Sequence, residues 1–282
     1  MKLLVFGSGY VARGGMVKYM KPEAAAYFSP RKDETLDSLG ASWIEGSVMD
    51  AGGKVMEACR DFDTLLYAVR TKNTNQMSNF DANITGVKNV VAAVRKYDRD
   101  QRLIFMSSIN VTYGTTEFLR TRRTGEDNAS LVKNHLIVRS SFIFGDGDWF
   151  TEIIKKIAES GMTKLPGVGN LAPVFIGDLA QVITRASDLR GGAVDVSSTQ
   201  KVSLLDAVNK YREIRGGLKP AKGKDSPRAV AKLKRTMVEN GLVTEEMAEY
   251  LTMDFQRENT YLTRYLDKYT GYLDYLSQTL KG

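Results

Sequence analysis

Sulfur and imidazole are nearly missing from this chain, whose 282 residues hold one cysteine, Cys59, and one histidine, His135. A lone cysteine excludes an intramolecular disulfide framework and any cysteine-rich zinc module. A lone histidine excludes His-clustered metal sites and argues against a His-dependent nucleophile relay. His135 follows Lys133-Asn134 and precedes the apolar run Leu136-Ile137-Val138, which places it at a turn or strand edge. No apolar run approaches the roughly eighteen residues that a membrane span requires. The apolar start meets Gly7 too soon for a signal peptide, so the chain reads as intracellular, cytoplasmic and soluble. No internal repeat or low-complexity tract is visible.

What is present is ordinary for a globular protein. Hydrophobic residues make up 43% and charged residues 26%, enough for one large domain or two small ones around a real core. The net charge is +7. A basic total admits nucleic acid, a membrane surface or an anionic small molecule, and only its distribution separates them. Residues 201–235 hold eleven Lys and Arg against three Asp and Glu, a net of +8 that leaves the rest of the chain at −1.

Short apolar runs alternate with helical stretches along the first half. Residues 2–6, 24–28, 43–44, 64–69 and 102–106 read as strands, with 136–139 and 142–144 as a sixth; residues 10–20 and 83–97 read as helices. This alternation predicts an α/β fold, a doubly wound parallel sheet covered on both faces. After the first strand, Gly7-Ser8-Gly9-Tyr10-Val11-Ala12 fits G-x-G-x-x-G/A. The first glycine permits the sharp turn, the second lets a pyrophosphate approach the backbone, and small Ala12 lets helix and strand pack closely. The expected ligand is a nicotinamide dinucleotide. At the tip of the second strand an acid suits the ribose diol of NAD, whereas basic groups suit the extra phosphate of NADP. Here Ser29-Pro30-Arg31-Lys32 brings cations and no acid, favouring NADP over NAD with Ser29, Arg31 and Lys32 as phosphate contacts.

Further motifs then fall into one order. Asn83-Ile84-Thr85-Gly86-Val87-Lys88-Asn89-Val90 resembles N-x-x-G-T-x-N-hydrophobic, and Phe105-Met106-Ser107-Ser108 with Tyr113-Gly114 resembles a strand, double serine and Tyr-Gly pair. Val138-Arg139-Ser140-Ser141-Phe142-Ile143-Phe144-Gly145 is similar to V-R-P-x-x-x-Y-G, with Ser140 at the proline. Leu165-Pro166-Gly167-Val168-Gly169-Asn170 and Val174-Phe175-Ile176-Gly177-Asp178-Leu179-Ala180 resemble the later P-G-x-G and V-x-x-D-L-A elements. Over about residues 1–215 the chain resembles the extended or atypical short-chain dehydrogenase/reductases, the group of the nucleotide-sugar epimerases and dehydratases. The resemblance implies a dinucleotide-binding domain over residues 1–198, with 146–177 partly on the substrate side. It also implies a smaller, mainly helical substrate or lid subdomain over 199–282.

In that group a Tyr-x-x-x-Lys pair and a hydroxyl do the chemistry: the tyrosine exchanges a proton with substrate, and the lysine lowers its pKa and holds the ribose. Ser108 matches the hydroxyl. The pair departs. Gly125-Glu126 sets the register and puts Phe118 on the tyrosine and Arg122 on the lysine. Phenylalanine has no ionisable proton, and arginine stays charged. Arg122 retains the means to bind ribose or phosphate, and Tyr113 or Glu117 are the substitute acids. Ala68-Val69-Arg70 adds a cation at the turn after the fourth strand; Ser47 replaces an acid near the adenine, and Val48 keeps an apolar wall there. Ser140 completes the cofactor contacts implied.

Gly216–Pro227 has loop composition, and Lys219, Lys222, Lys224 and Arg228 are candidates to clamp a phosphate-bearing small molecule. With no recognised module or interleaved aromatics, this segment argues against nucleic acid. Ser226-Pro227 starts a helix to about Asn240, and Thr244 caps another. Tyr261, Leu262, Tyr265, Leu266, Tyr269, Tyr272, Leu273 and Leu276 recur at helical steps, forming a stripe that Gly271 bends or divides. The stripe packs on the domain or serves a second copy of the chain, as in a homodimer. Two functions follow: an NAD(P)-binding regulatory or accessory protein without Tyr–Lys catalysis, or an active epimerase, dehydratase or reductase using another acid.

Overall fold

The computed structural model describes residues 1–50, 53–71, 77–97 and 100–280. Its strands are β1 (Lys2–Phe6), β2 (Ala24–Ser29), β3 (Ser42–Glu45), β4 (Thr64–Tyr67), β5 (Arg102–Ser108), β6 (His135–Ser140), β7 (Ile143–Phe144), β8 (Lys164–Pro166), β9 (Val174–Phe175), β10 (Gly192–Val196) and β11 (Lys222–Lys224). The chain forms two compact units, one of Met1–Ser140 with Ala180–Asp195, the other of Ser141–Leu179 with Val196–Gly282.

The first unit is built on a sheet in the order β10-β6-β5-β4-β1-β2-β3. The pairings from β3 through to β6 are parallel. That is the doubly wound order 3-2-1-4-5-6 with one strand added beyond β6, so the α/β expectation holds. Central strands are apolar on both faces: Leu3, Leu4, Val5 and Phe6 of β1 are all fully buried. The helix Gly86–Tyr97 covers one face through Val87, Val90, Val91 and Val94, spaced along one stripe. Valine is an indifferent helix former, and here burial decides.

The chain order reverses between β1 and β4, and the C-terminal ends of those strands are level: Phe6 pairs with Phe28 of β2 and with Tyr67 of β4. Such a switch point opens a crevice. Both helices that start beside it, after β1 and after β4, begin with a wide π-type turn, Ala12–Met16 and Asp81–Thr85. His135 is the half-buried first residue of β6, its Nδ1 2.7 Å from the Val132 carbonyl oxygen.

The second unit holds two small parallel pairs, β7 with β9 and β8 with β11. The latter corrects the loop reading of the basic segment, because residues 222–224 form a strand paired in register with 164–166. Lys-Gly-Lys carries no apolar signal, so its neighbour in space decides. The helix Pro227–Glu239 begins with proline in its first turn, and Thr244 caps Glu245–Tyr250 by accepting from the Met247 N–H. The tyrosine stripe is two helices, Tyr261–Tyr265 and Tyr272–Thr279, because Leu266 turns extended and Gly271 caps the second. Tyr272 and Leu276 are fully buried, and the Tyr272 ring lies 5.0 Å from those of Phe144 and Phe150. Tyr272 is thus core of its own unit, whereas Tyr261, Tyr265 and Tyr269 are half-buried.

Candidate functional site

The glycine loop is shaped by its surroundings. Gly7 has φ +103°, a conformation that a side chain strains. Its N–H donates to the Phe28 carbonyl at 3.0 Å, and a Cβ there would touch Ala68 and Val69 at 3.4 Å. The turn after β1 is thus pressed on the turn after β4. Gly9 differs: a Cβ would meet nothing within 4 Å. Nothing in the fold requires glycine at position 9, whereas a phosphate lying against the backbone does. The residues present therefore fit a dinucleotide at this loop. Ser8, Tyr10 and Val11 complete the loop, each half-buried.

At the tip of β2 the Ser29 hydroxyl already donates to the Arg31 carbonyl at 2.6 Å. Arg31 and Lys32 are exposed, and Lys32 lies 3.3 Å from Asp37. A third cation, overlooked in the sequence, joins them: Arg13, in the first helix, lies 3.7 Å from Asp33. Its signal was its place directly after the small residue that ends the glycine motif. Asp33 itself is the N-cap of Glu34–Ser38 and accepts from Leu36 N–H.

Val48 is fixed by Asn89, whose amide donates to the Val48 carbonyl at 2.8 Å. Ser47 is held by Asp50, which accepts from its N–H at 2.8 Å. Gly86 lets Val48 and Tyr67 close in, since a Cβ would lie 2.7 Å from the former and 2.4 Å from the latter. The motif residues Asn89 and Gly86 thus shape the apolar wall.

The helix Glu117–Ala129 carries the positions of the expected Tyr–Lys pair. Thr116 caps it by accepting from the Leu119 N–H at 3.3 Å, with Glu117 in the first turn. Its buried stripe is Leu119, Arg122, Gly125, Glu126 and Ala129, so two charged residues occupy core positions. Each meets specific side chains or backbone groups. Arg122, 4% exposed, lies between two rings, 5.1 Å from the centroids of Phe105 and Phe118. Its Nη2 donates to the Val69 carbonyl at 3.1 Å. Arg70, exposed, stacks on the same Phe118 ring at 5.3 Å. The result is a ladder, Phe105–Arg122–Phe118–Arg70, at the C-terminal ends of β4 and β5.

Glu126, 1% exposed, accepts from the Ser107 hydroxyl at 2.6 Å and from Arg139 at 2.8 and 2.6 Å, with Arg123 at 3.3 Å. The bidentate pair raises the Arg139 pKa, chiefly through this hydrogen bond. Glu126 ties the helix to β5 and β6 one turn beyond Arg122 and fixes where Arg122 lies. It was missed because its partners are 13 and 19 residues away. Gly125 is required by close packing, since a Cβ would sit 2.5 Å from the Asn83 carbonyl oxygen and 2.8 Å from Phe105.

Ser108 and Ser140 are register partners at the ends of β5 and β6. Ser108 is half-buried and Ser140 buried. Tyr113 follows the turn Ile109–Thr112 and is 67% exposed. Lys219, Lys222, Lys224 and Arg228 are exposed on the second unit. A depression lined by Lys2, Asp61, Asp63 and Asp100 lies at the opposite, N-terminal ends of the strands.

No family model matches the chain, and no curated protein matches it in sequence. Solved structures do. The triphenylmethane reductase of Citrobacter sp., complexed with NADP(H), superposes with a TM-score of 0.76 over 99% of both chains at 14% identity. A nucleoside-diphosphate-sugar epimerase from Staphylococcus aureus gives 0.71 over 100% of both at 12%. The Bordetella bronchiseptica enzyme WbmG, in complex with NAD, gives 0.63 over 87% of this chain and 96% of its own at 16%. Together with the strand order and the Gly7 loop, these likenesses establish that the chain has the fold of the NAD(P)-dependent epimerase/dehydratase-like short-chain dehydrogenase/reductases.

Proposed function

We propose that this protein binds a nicotinamide dinucleotide, NADP in preference to NAD, and acts as a regulatory or accessory protein without Tyr–Lys catalysis. One observation carries this reading: at the positions of the pair stand Phe118, which has no proton to exchange, and Arg122, whose guanidinium is stacked between two rings and bonded to the Val69 carbonyl. A bound nicotinamide supplies hydride chemistry; the chain's residues bind and orient it. Gly7, Ser8, Gly9, Tyr10 and Val11 would face the pyrophosphate, with Ser47, Val48, Ala68, Val69, Arg70, Arg122 and Ser140 along the crevice. Because the Ser29 proton is already engaged, the extra phosphate falls to Arg31, Lys32 and Arg13. Their pairings with Asp37 and Asp33 span 3.3 and 3.7 Å at partly exposed sites. Pairs of that kind are worth about 0–1 kcal/mol, little for a phosphate to outbid.

An active reductase is the second reading, favoured by the fold shared with triphenylmethane reductase along nearly the whole of both chains. Ser108 and Tyr113 or Glu117 would then serve the substrate. Titrating the purified protein with NADPH, NADP+, NADH and NAD+ tests the binding reading, and tighter NADH than NADPH overturns the NADP preference. Turnover of carbonyl or nucleotide-sugar substrates by the unmodified protein overturns the non-catalytic reading. Turnover gained in the F118Y/R122K double variant supports it.

A further inference from the structure

Oxidised and reduced nicotinamide differ by one charge: the oxidised ring is a cation and the reduced ring is neutral, while the phosphates and adenosine are the same. A charge near the nicotinamide therefore acts on the ratio of the two affinities, and charges elsewhere largely cancel from it. A doubly wound sheet binds one mononucleotide on each half of the crevice. On the dinucleotide reading above, the glycine loop and the cations Arg13, Arg31 and Lys32 mark the β1–β3 half as the adenosine side. The nicotinamide then belongs to β4–β6.

That half carries two guanidiniums on one ring, Arg122 at 5.1 Å and Arg70 at 5.3 Å from the Phe118 centroid. Both stay charged at any accessible pH. Arg122 is buried, where solvent screens its field weakly. Its charge is felt at Tyr67, opposing the rise in pKa that burial causes there. Among the described residues, the acids of the adjoining elements are paired, hydrogen-bonded or exposed. Glu126 is bound by Arg139 and Arg123, Asp81 is bonded to the Ser78 N–H and hydroxyl, and Glu117 is exposed at the start of the helix. Where the family's tyrosine would add a neutral hydroxyl, Phe118 adds a π-face that gathers cations.

We infer that Arg70 and Arg122 make the crevice selective for the reduced dinucleotide, so that the bound fraction follows the ratio of NADPH to NADP+. Like charges across a partly buried site change an affinity roughly tenfold or more. The inference rests on the dinucleotide reading, and calorimetric titration with NADPH, NADP+ and adenosine 2′,5′-bisphosphate at fixed ionic strength separates the two. NADPH is expected to bind about tenfold tighter than NADP+. The R70Q variant should reduce that ratio severalfold, and R122M should reduce it further, while adenosine 2′,5′-bisphosphate, which has no nicotinamide, binds all three proteins alike. Arg70 is exposed, so R70Q keeps the test decisive if R122M fails to fold. Equal or tighter binding of NADP+, or a ratio unchanged in R70Q, overturns the inference and leaves dinucleotide binding standing. Failure of both NADPH and NADP+ to bind overturns both.

Discussion

Arg122 and Val69 are joined by a hydrogen bond of 3.1 Å from guanidinium to carbonyl, linking the middle of a helix to the end of the neighbouring β4 region. The bond makes Arg122 a brace between the helix and the turn after β4. The rings of Phe105 and Phe118 hold the guanidinium from two sides, so the side chain is fixed at both its charge and its plane.

Replacing Arg122 with lysine should therefore be destabilising although it keeps the charge. An ammonium has no plane to stack and does not reproduce the guanidinium's geometry. The expected loss is about 1–3 kcal/mol, from two cation–π contacts and one charged hydrogen bond. Urea denaturation of R122K measures it, and a change under about 0.5 kcal/mol would show that the ladder contributes nothing to the fold.

Glu126 should be more sensitive. Truncation to alanine leaves Arg139 and Ser107 without their buried acceptor, which costs about 3–5 kcal/mol. The glutamine variant keeps the shape and loses the charge, so it should fall between alanine and wild type. Equal midpoints for wild type and E126A would sink this account.

Two glycines should separate fold from ligand. Gly125→Ala forces a Cβ to within 2.5 Å of a backbone oxygen and should cost about 3 kcal/mol. Gly9→Val enters open space, so stability should change by less than about 1 kcal/mol. Dinucleotide affinity should nevertheless drop at least about tenfold, because the phosphate approach is blocked. A G9V protein that binds NADPH normally would contradict the placement of the loop.

Cys59 is fully buried, and burial pushes its thiol up to about 12. At pH 8 thiol reagents should modify it only through unfolding. The linkage has a definite sign. The folded pKa lies above the unfolded value of about 8.5–9, so the contribution is intact below pH 8.5 and is lost as pH rises toward 12. Between pH 9 and 10 stability should fall by about 1 kcal/mol from this group, steepening toward about 1.4 kcal/mol per unit above pH 10. The Cys59→Ala variant should flatten that limb, and a slope identical to wild type would refute the assignment.

Much of the fold was legible because it is written locally. Strands β1, β4 and β5 are apolar runs, Gly7-Ser8-Gly9 follows the first of them, and Thr244 precedes its helix as a cap. The helix Glu117–Ala129 was not legible as a buried element, because Arg122 and Glu126 occupy its core positions and only tertiary partners make that tolerable. β11 was hidden for a similar reason: Lys-Gly-Lys becomes a strand by pairing with β8.

The sequence by itself determined the alternation of strand and helix, the glycine loop, and the presence of Phe118 and Arg122 four residues apart. These depend on residue type and near neighbours, which the order of the chain states outright. The tertiary structure alone decided that Arg122 meets Val69 across 53 residues, that Arg13 joins the tip of β2, and that Glu126 is neutralised by Arg139. The reason is physical: a buried charge is tolerable only beside specific partners, and no spacing rule says which distant residues the fold will bring to it.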